Sequence, residues 1–184
     1  MLVLASASPR RLDLLRQIGL EPDAIDPADV EETPRAREAP RIYALRMAEA
    51  KLAAVMPRHP AATVLAADSV VAVGRRILPK AETPAEARAC LALLSGRRHK
   101  VLGGVAIGCA GKVRTRLVET AVRFKRLEKA EIEAYVQSGE WQGKAGGYAI
   151  QGRAASFVAF ISGSYSNVVG LPLFETAALL KTVR

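Results

Sequence analysis

The sequence has few aromatic side chains: only 5% of its 184 residues are Phe, Trp or Tyr. Proteins that grip single-stranded nucleic acid stack bases on aromatic faces, so this scarcity argues against such a platform. Histidine is rarer still. His59 and His99 are too few for a histidine-built metal site, so any metal here would be held by oxygen ligands. The two cysteines, Cys90 and Cys109, show no zinc-ligand spacing and suit a reducing compartment. No apolar run approaches the ~20 residues of a membrane span. Ala5-Ser6-Ala7 imitates a signal cleavage site, but the residues before it, Met1 to Leu4, are too short for a secretory leader. The expectation is a cytoplasmic protein with no membrane partner.

Basic charge is plentiful. The formal net charge is +9 and the sequence pI is near 10.0, which favours polyanionic ligands, either nucleotides or nucleic acid. The Lys and Arg residues are spread along the chain rather than gathered in a block, and such charge also simply keeps a protein soluble. The length suits one domain, 1–184, with a substantial core. No internal repeat, low-complexity tract or linker interrupts it.

The stretch that organises the chain is Val64 to Lys80. Val64-Leu65-Ala66-Ala67 and Val70 to Val73 read as one buried strand, with the carboxylate of Asp68 between them. An ionised carboxylate there is costly unless it is hydrogen-bonded or binds a cation. Gly74 permits a turn, after which Ile77-Leu78 leads to Lys80, so an acid and a cation flank one turn. Either Asp68 caps that turn and Lys80 is solvated, or the two share a site.

Upstream, Leu2 to Ala5 reads as a strand. Ser8 suits a helix N-cap, Pro9 the first helical position and Gly19 the position past the end, with Leu12, Leu14, Leu15 and Ile18 as the buried face. Arg10 and Arg11 fall in the first turn, the wrong end for cations unless an anion is expected there. Residues 21–39 are a polar connection carrying Asp29-Val30-Glu31-Glu32. It is either a solvated loop or a segment that folds back to supply Glu31 or Glu32 as a ligand. Pro40 to Met56 reads as a helix with Leu45, Ala48, Leu52 and Val55 inward, and with Lys51 on the Ala44 flank, where a lysine can snorkel harmlessly.

Downstream, Thr83-Pro84-Ala85-Glu86 is a capping box whose helix ends at Ser95-Gly96. His99 to Cys109 and Lys112 to Leu127 form a β-hairpin about Ala110-Gly111, with Val118, Thr120, Val122 and Phe124 on one face. A helix follows over Lys129 to Ser138. Then come four glycines in ten residues, Gly143 to Gly152, for close approach to a ligand or for awkward turns. The expected close is a strand over Phe157 to Ile161, a loop over Ser162 to Gly170, and a helix opened by Pro172 with Leu173, Ala177 and Leu180 on one side.

Four fragments occur in order along the chain: Ser6-Ala7-Ser8-Pro9-Arg10-Arg11, Ala67-Asp68-Ser69-Val70-Val71, Lys144-Ala145-Gly146-Gly147-Tyr148-Ala149-Ile150-Gln151-Gly152, and Asn167-Val168-Val169-Gly170-Leu171-Pro172-Leu173. Together they resemble the Maf family of nucleoside triphosphate pyrophosphatases, in the branch acting on dTTP and UTP. The resemblance implies an α/β fold, mixed α+β, with an elongated twisted sheet, flanking helices and a central cleft, similar to the inosine-triphosphate pyrophosphatases. It implies hydrolysis of a nucleoside triphosphate to monophosphate and pyrophosphate, a divalent metal (Mg²⁺ or Mn²⁺) and a homodimer. Asp68 matches the family's proton acceptor. Arg10, Ser69 and Gln151 match positions that set substrate specificity. Arg11, Glu32, Lys51 and Lys80 match polar cleft residues, with Ser8 in the same N-terminal motif and Asp68 and Glu32 as metal ligands. Two departures stand out: Ser69 where the branch usually has threonine, and Pro79-Lys80-Ala81 where the family tends to Gly-Lys-Pro.

Residue chemistry agrees with that implication. Attack of water at the α-phosphorus builds charge on phosphate oxygens, which Arg10, Arg11, Lys51 and Lys80 can meet. An unperturbed aspartate is a weak base at neutral pH, so the metal is expected to do much of the activation. Two rival readings are a basic nucleic-acid-binding module and a septum-inhibiting regulator of cell division with incidental turnover. The absence of a basic block or aromatic platform leads to the expectation of no stable nucleic-acid complex.

Overall fold

A computed structural model describes residues 1–183. The chain runs β1 (Leu2–Leu4), α1 (Pro9–Gln17), β2 (Ala24–Ile25), α2 (Pro40–Val55), β3 (Thr63–Val73), β4 (Arg76–Leu78), β5 (Lys80–Ala81) and α3 (Pro84–Leu94). It continues through β6 (Arg98–Cys109), β7 (Lys112–Phe124), α4 (Lys129–Gln137), β8 (Lys144–Ala145), β9 (Val158–Ser162), α5 (Tyr165–Val169) and α6 (Leu173–Thr182). The main sheet has the order β2-β1-β3-β6-β7-β9, and β5 and β8 form a separate two-stranded ribbon. β1 runs parallel to β2 and β3, while β6, β7 and β9 are antiparallel, so the fold is the mixed α/β arrangement expected.

β3 is covered on both faces, which is why its apolar run does not alternate. Val64 and Ala66 pack under α2 with Leu52 and Val55, while Leu65 and Ala67 face Leu14, Leu15 and Leu179 of α1 and α6. Gly104 on β6 lets α2 approach closely: a Cβ there would lie 2.2 Å from the Ala44 carbonyl oxygen. The β6–β7 hairpin closes through Ala110 and Gly111, both at positive φ (47° and 78°), as a two-residue turn that matches strand twist requires. The α3 capping box forms as read, with Glu86 N donating to Thr83 Oγ1 at 3.2 Å.

Several expectations need correcting. β7 ends at Phe124 rather than Leu127, because a bulge against β9 breaks the ladder there. Ser162 to Gly170 contains the short helix α5, capped by Ser164, whose hydroxyl accepts from Asn167 N. Five residues are too few for helical periodicity to register. In α1 the buried positions are Arg11, Leu14 and Leu15, and Ile18 is exposed. In α6 they are Thr176, Leu179 and Leu180 rather than the row Leu173, Ala177, Leu180.

Candidate active site

The pairing of β3 opens the site. β1 covers β3 only over Thr63 to Leu65, and β4 covers it only over Val71 to Val73. Between them one edge of β3 is left without a strand, and Asp68 and Ser69 stand in that gap. The gap faces a cleft of about 440 Å³, which also takes in the turn after β1, the start of α1, α2, the β5–β8 ribbon and the end of α5.

Four charges of alternating sign line up there. Asp68 is buried, and its Oδ1 accepts from Lys51 Nζ at 2.6 Å. Lys51 also lies 2.6 Å from Glu32 Oε1, and Lys80 pairs with Glu32 Oε2. Lys51 is therefore a buried bridge between two carboxylates, and the snorkelling reading is set aside. Burial tends to raise the Glu32 carboxyl, but hydrogen bonds and charge from Lys51 and Lys80 outweigh it and hold the pKa at about 2. Glu32 folds back because its loop is stitched to α2: Tyr43 OH donates to the Glu32 carbonyl at 2.5 Å, and Arg46 donates to the Glu38 carboxylate. Burial, and then the negative charges of Asp68 and Glu32, push the Tyr43 phenol up to about 12. Glu31 is exposed and takes a hydrogen bond from Thr33, so Glu32 alone supplies the loop's carboxylate to the cleft.

Arg10 and Arg11 behave differently from each other. Arg11 is buried and spends its donors on neutral partners: Nε to Gly170 O at 2.9 Å, Nη1 to Ser6 Oγ at 3.0 Å and Nη2 to Ser69 Oγ at 3.3 Å. Burial lowers its pKa, Asp68 raises it, and Arg10 lowers it. Arg10 is only partly covered, held by one bond from Nε to Val169 O at 3.3 Å. Both guanidiniums thus rest on carbonyls at the end of α5. Asn167 anchors that helix to the sheet, donating from Nδ2 to Val101 O, Val118 O and Thr120 Oγ1 at 3.1, 3.3 and 3.1 Å. Ser8 occupies the N-cap of α1 and lines the cleft, but its side chain makes no capping bond.

Most glycines of the glycine-rich segment turn and pack against protein, while Gly143 lines the cleft with open space at its Cβ position. Gly146, at φ 68°, sits where a Cβ would lie 2.8 Å from Val71, and a Cβ at Gly152 would meet Glu140 Oε2 at 2.1 Å. The segment lines the cleft with Gly143, Lys144, Ala145, Tyr148, Ala149 and Gln151, of which Lys144 and Gln151 bring polar side chains. Lys144 is partly covered, and burial followed by the charge of Arg10 lowers its pKa. Lys80, whose neighbours depart from the family pattern, does reach the cleft, because its strand β5 pairs with β8.

Every residue singled out from the sequence except Glu31 therefore lines one cleft. Tyr43, Asn167 and Lys144 were missed as site residues. Tyr43 and Asn167 act through backbone carbonyls, which leave no trace in sequence spacing, and Lys144 was read only as part of a glycine-rich loop. Five cations, Arg10, Arg11, Lys51, Lys80 and Lys144, face two carboxylates, an arrangement suited to a phosphate-rich small molecule.

A family model described as Maf-like protein matches residues 1–183, and the chain belongs to that family. It is 65% identical over 180 residues to a protein of Rhodospirillum rubrum named dTTP/UTP pyrophosphatase, covering 97% of this chain and 86% of that one. It is 65% identical over 181 residues to one of the same name from Paramagnetospirillum magneticum, covering 98% and 95%. A third of that name, from Caulobacter vibrioides, is 63% identical over 180 residues, covering 97% and 93%. The solved nucleoside-triphosphatase (dITP/XTP pyrophosphatase) of Mycobacterium abscessus aligns over 100% of this chain and 95% of its own. Its TM-score is 0.43 at 16% identity, too loose to carry an argument.

Proposed function

We propose that the chain hydrolyses dTTP and UTP to the monophosphate and pyrophosphate. The observation that carries this is a buried carboxylate, Asp68, in a nucleotide-sized cleft lined by five cations. The relatives named for that activity add to it.

In this reading Asp68 accepts the proton of a water that attacks the α-phosphorus, and pyrophosphate leaves. Lys51 fixes the Asp68 carboxylate from behind through the 2.6 Å contact. Arg10 and Lys144, which have no carboxylate within 4.0 Å among the described residues, meet the phosphate charge, with Lys80 beside them. No group of three or more His, Cys, Asp or Glu side chains suited to a metal occurs among the described residues. Two carboxylates completed by phosphate oxygens are, however, a set that Mg²⁺ accepts. Asp68 and Glu32 would hold such an ion, Mg²⁺ or Mn²⁺, whose contribution is to neutralise phosphate charge and acidify water. Gln151 and Ser69 select the base, Gln151 because its amide both donates and accepts, as the uracil edge does. The reading carries with it a cytoplasmic location and a homodimer, and sedimentation would measure the dimer. No helix among the described residues is long and apolar enough to cross a membrane.

The test is pyrophosphate release across a panel of nucleoside triphosphates, by wild type and by Asp68→Asn. Preference for dTTP and UTP, with loss of more than about tenfold in the variant, supports the reading. Preference for GTP overturns the branch. An active Asp68→Asn protein overturns the base.

A further inference from the structure

The cleft uses five of the 27 cations, so most of the +9 charge lies elsewhere. The sheet gathers part of it at one corner, where β6 begins and β7 ends. Register sets Arg98 opposite Arg123, and Arg123 opposite Phe160 of the edge strand β9, so the three share one face. Like charges placed directly opposite each other destabilise a sheet. Neither guanidinium has a carboxylate within 4.0 Å among the described residues. Both instead lie over the Phe160 ring, 5.5 and 6.0 Å from its centroid, and that ring is 44% exposed. Arg97, Lys125 and Arg126 adjoin the row: Phe124 N donates to Arg97 O, and Gly96 N donates to Lys125 O. All three are exposed, and of the cations here Lys125 has an acidic partner, Glu131. None of these residues lines the cleft.

We propose that this corner is a second, separate site that binds single-stranded nucleic acid weakly and in a salt-dependent way. The basic stripe and aromatic platform absent from the linear sequence are assembled here by strand register. Four arginines with no carboxylate partner among the described residues suit a phosphodiester backbone, and the exposed ring at the end of the row, beside two guanidiniums, offers a stacking surface for unpaired bases. A second copy of the chain is a poorer fit, because most of its 18 carboxylates are already in ion pairs. The site is independent of the proposed hydrolysis. A surface of this kind works at about 10⁻⁴ to 10⁻⁶ M, so no stable complex is expected at cellular salt.

The experiment is fluorescence anisotropy of a labelled ten-residue oligothymidylate titrated with the full chain at low salt, with the cleft saturated by a non-hydrolysable dTTP analogue. The expected result is saturable binding that persists with the cleft filled and weakens about fiftyfold between 50 and 200 mM NaCl. It should also be tighter for the single strand than for the duplex. Phe160→Leu should weaken it at least about fivefold, the lower end for one stacked base, and Arg98→Gln with Arg123→Gln should reduce the salt slope. Phe160→Leu should melt close to wild type because the position is exposed, and the double glutamine variant at or slightly above it because the like-charge pair is relieved. Displacement by the nucleotide analogue, equal or tighter binding of duplex or of polyglutamate, or unchanged affinity in both variants would each overturn the proposal.

Discussion

Replacing Lys51 by methionine keeps the length and apolar stem of the side chain and removes its charge. The Lys51 and Asp68 side chains are only 8% and 5% exposed, so the variant leaves a carboxylate uncompensated in the interior. Breaking a buried pair in this way costs about 3–5 kcal/mol. The low end applies, because the buried guanidinium of Arg11 also favours the Asp68 charge. Glu32, at 37% exposure, recovers hydration and adds little. About 3 kcal/mol corresponds to a fall in Tm of about 6–12 °C for a chain of this size. Urea and thermal unfolding at pH 7 measure it. Adding Asp68→Asn to Lys51→Met should restore more than half the loss, since the stranded charge is then gone. A cost below about 1 kcal/mol for Lys51→Met would show that Lys51 is a solvated lysine after all, and the charge line from Asp68 to Lys80 would lose its meaning.

Arg10→Ala should weaken binding of a non-hydrolysable triphosphate with little change in Tm, whereas Arg11→Ala should lower both, because it removes three buried guanidinium bonds and leaves Gly170 O, Ser6 Oγ and Ser69 Oγ with one partner each. Equal melting temperatures for the two variants would contradict that division. Gln151→Glu should lower kcat/KM for UTP relative to GTP by about ten- to a hundredfold, since a carboxylate accepts but cannot donate. Equal losses on both nucleotides would make Gln151 structural. His99 is buried against Phe124 and Tyr148, and burial pushes its pKa down to about 4. Its folded pKa thus lies below the unfolded value near 6.5, so its contribution is intact above pH 6.5 and is lost as pH falls toward 4, on the order of 3 kcal/mol. His99→Gln, which can still bond Tyr148 OH, should flatten the stability curve across that window. An unchanged slope would place the acid sensitivity elsewhere.

The elements with local signatures were legible in the sequence. The capping box before α3, the proline that opens α2 and the alternation along β7 are short-range patterns, and each formed where it was read. Asp68 stood out because a carboxylate interrupts an apolar run. Its partner did not: Lys51 lies 17 residues away on another element, and only the packing of α2 on β3 brings the two together. For the same reason the basic corner was invisible. Arg98, Arg123 and Phe160 are far apart in the chain and meet only through hairpin register and the edge strand. Of the two readings of the glycine-rich segment, awkward turns fit Gly146 and Gly152, which answer to Val71 and Glu140 rather than to a ligand.

The central claim is that water placed by Asp68 attacks the α-phosphorus. Hydrolysis of UTP in ¹⁸O-labelled water, with both products analysed by mass spectrometry, tests it most directly. The account predicts label in the monophosphate and none in the pyrophosphate. Label in pyrophosphate would mean attack at the β-phosphorus, and release of orthophosphate with a diphosphate would mean a different reaction; either contradicts it.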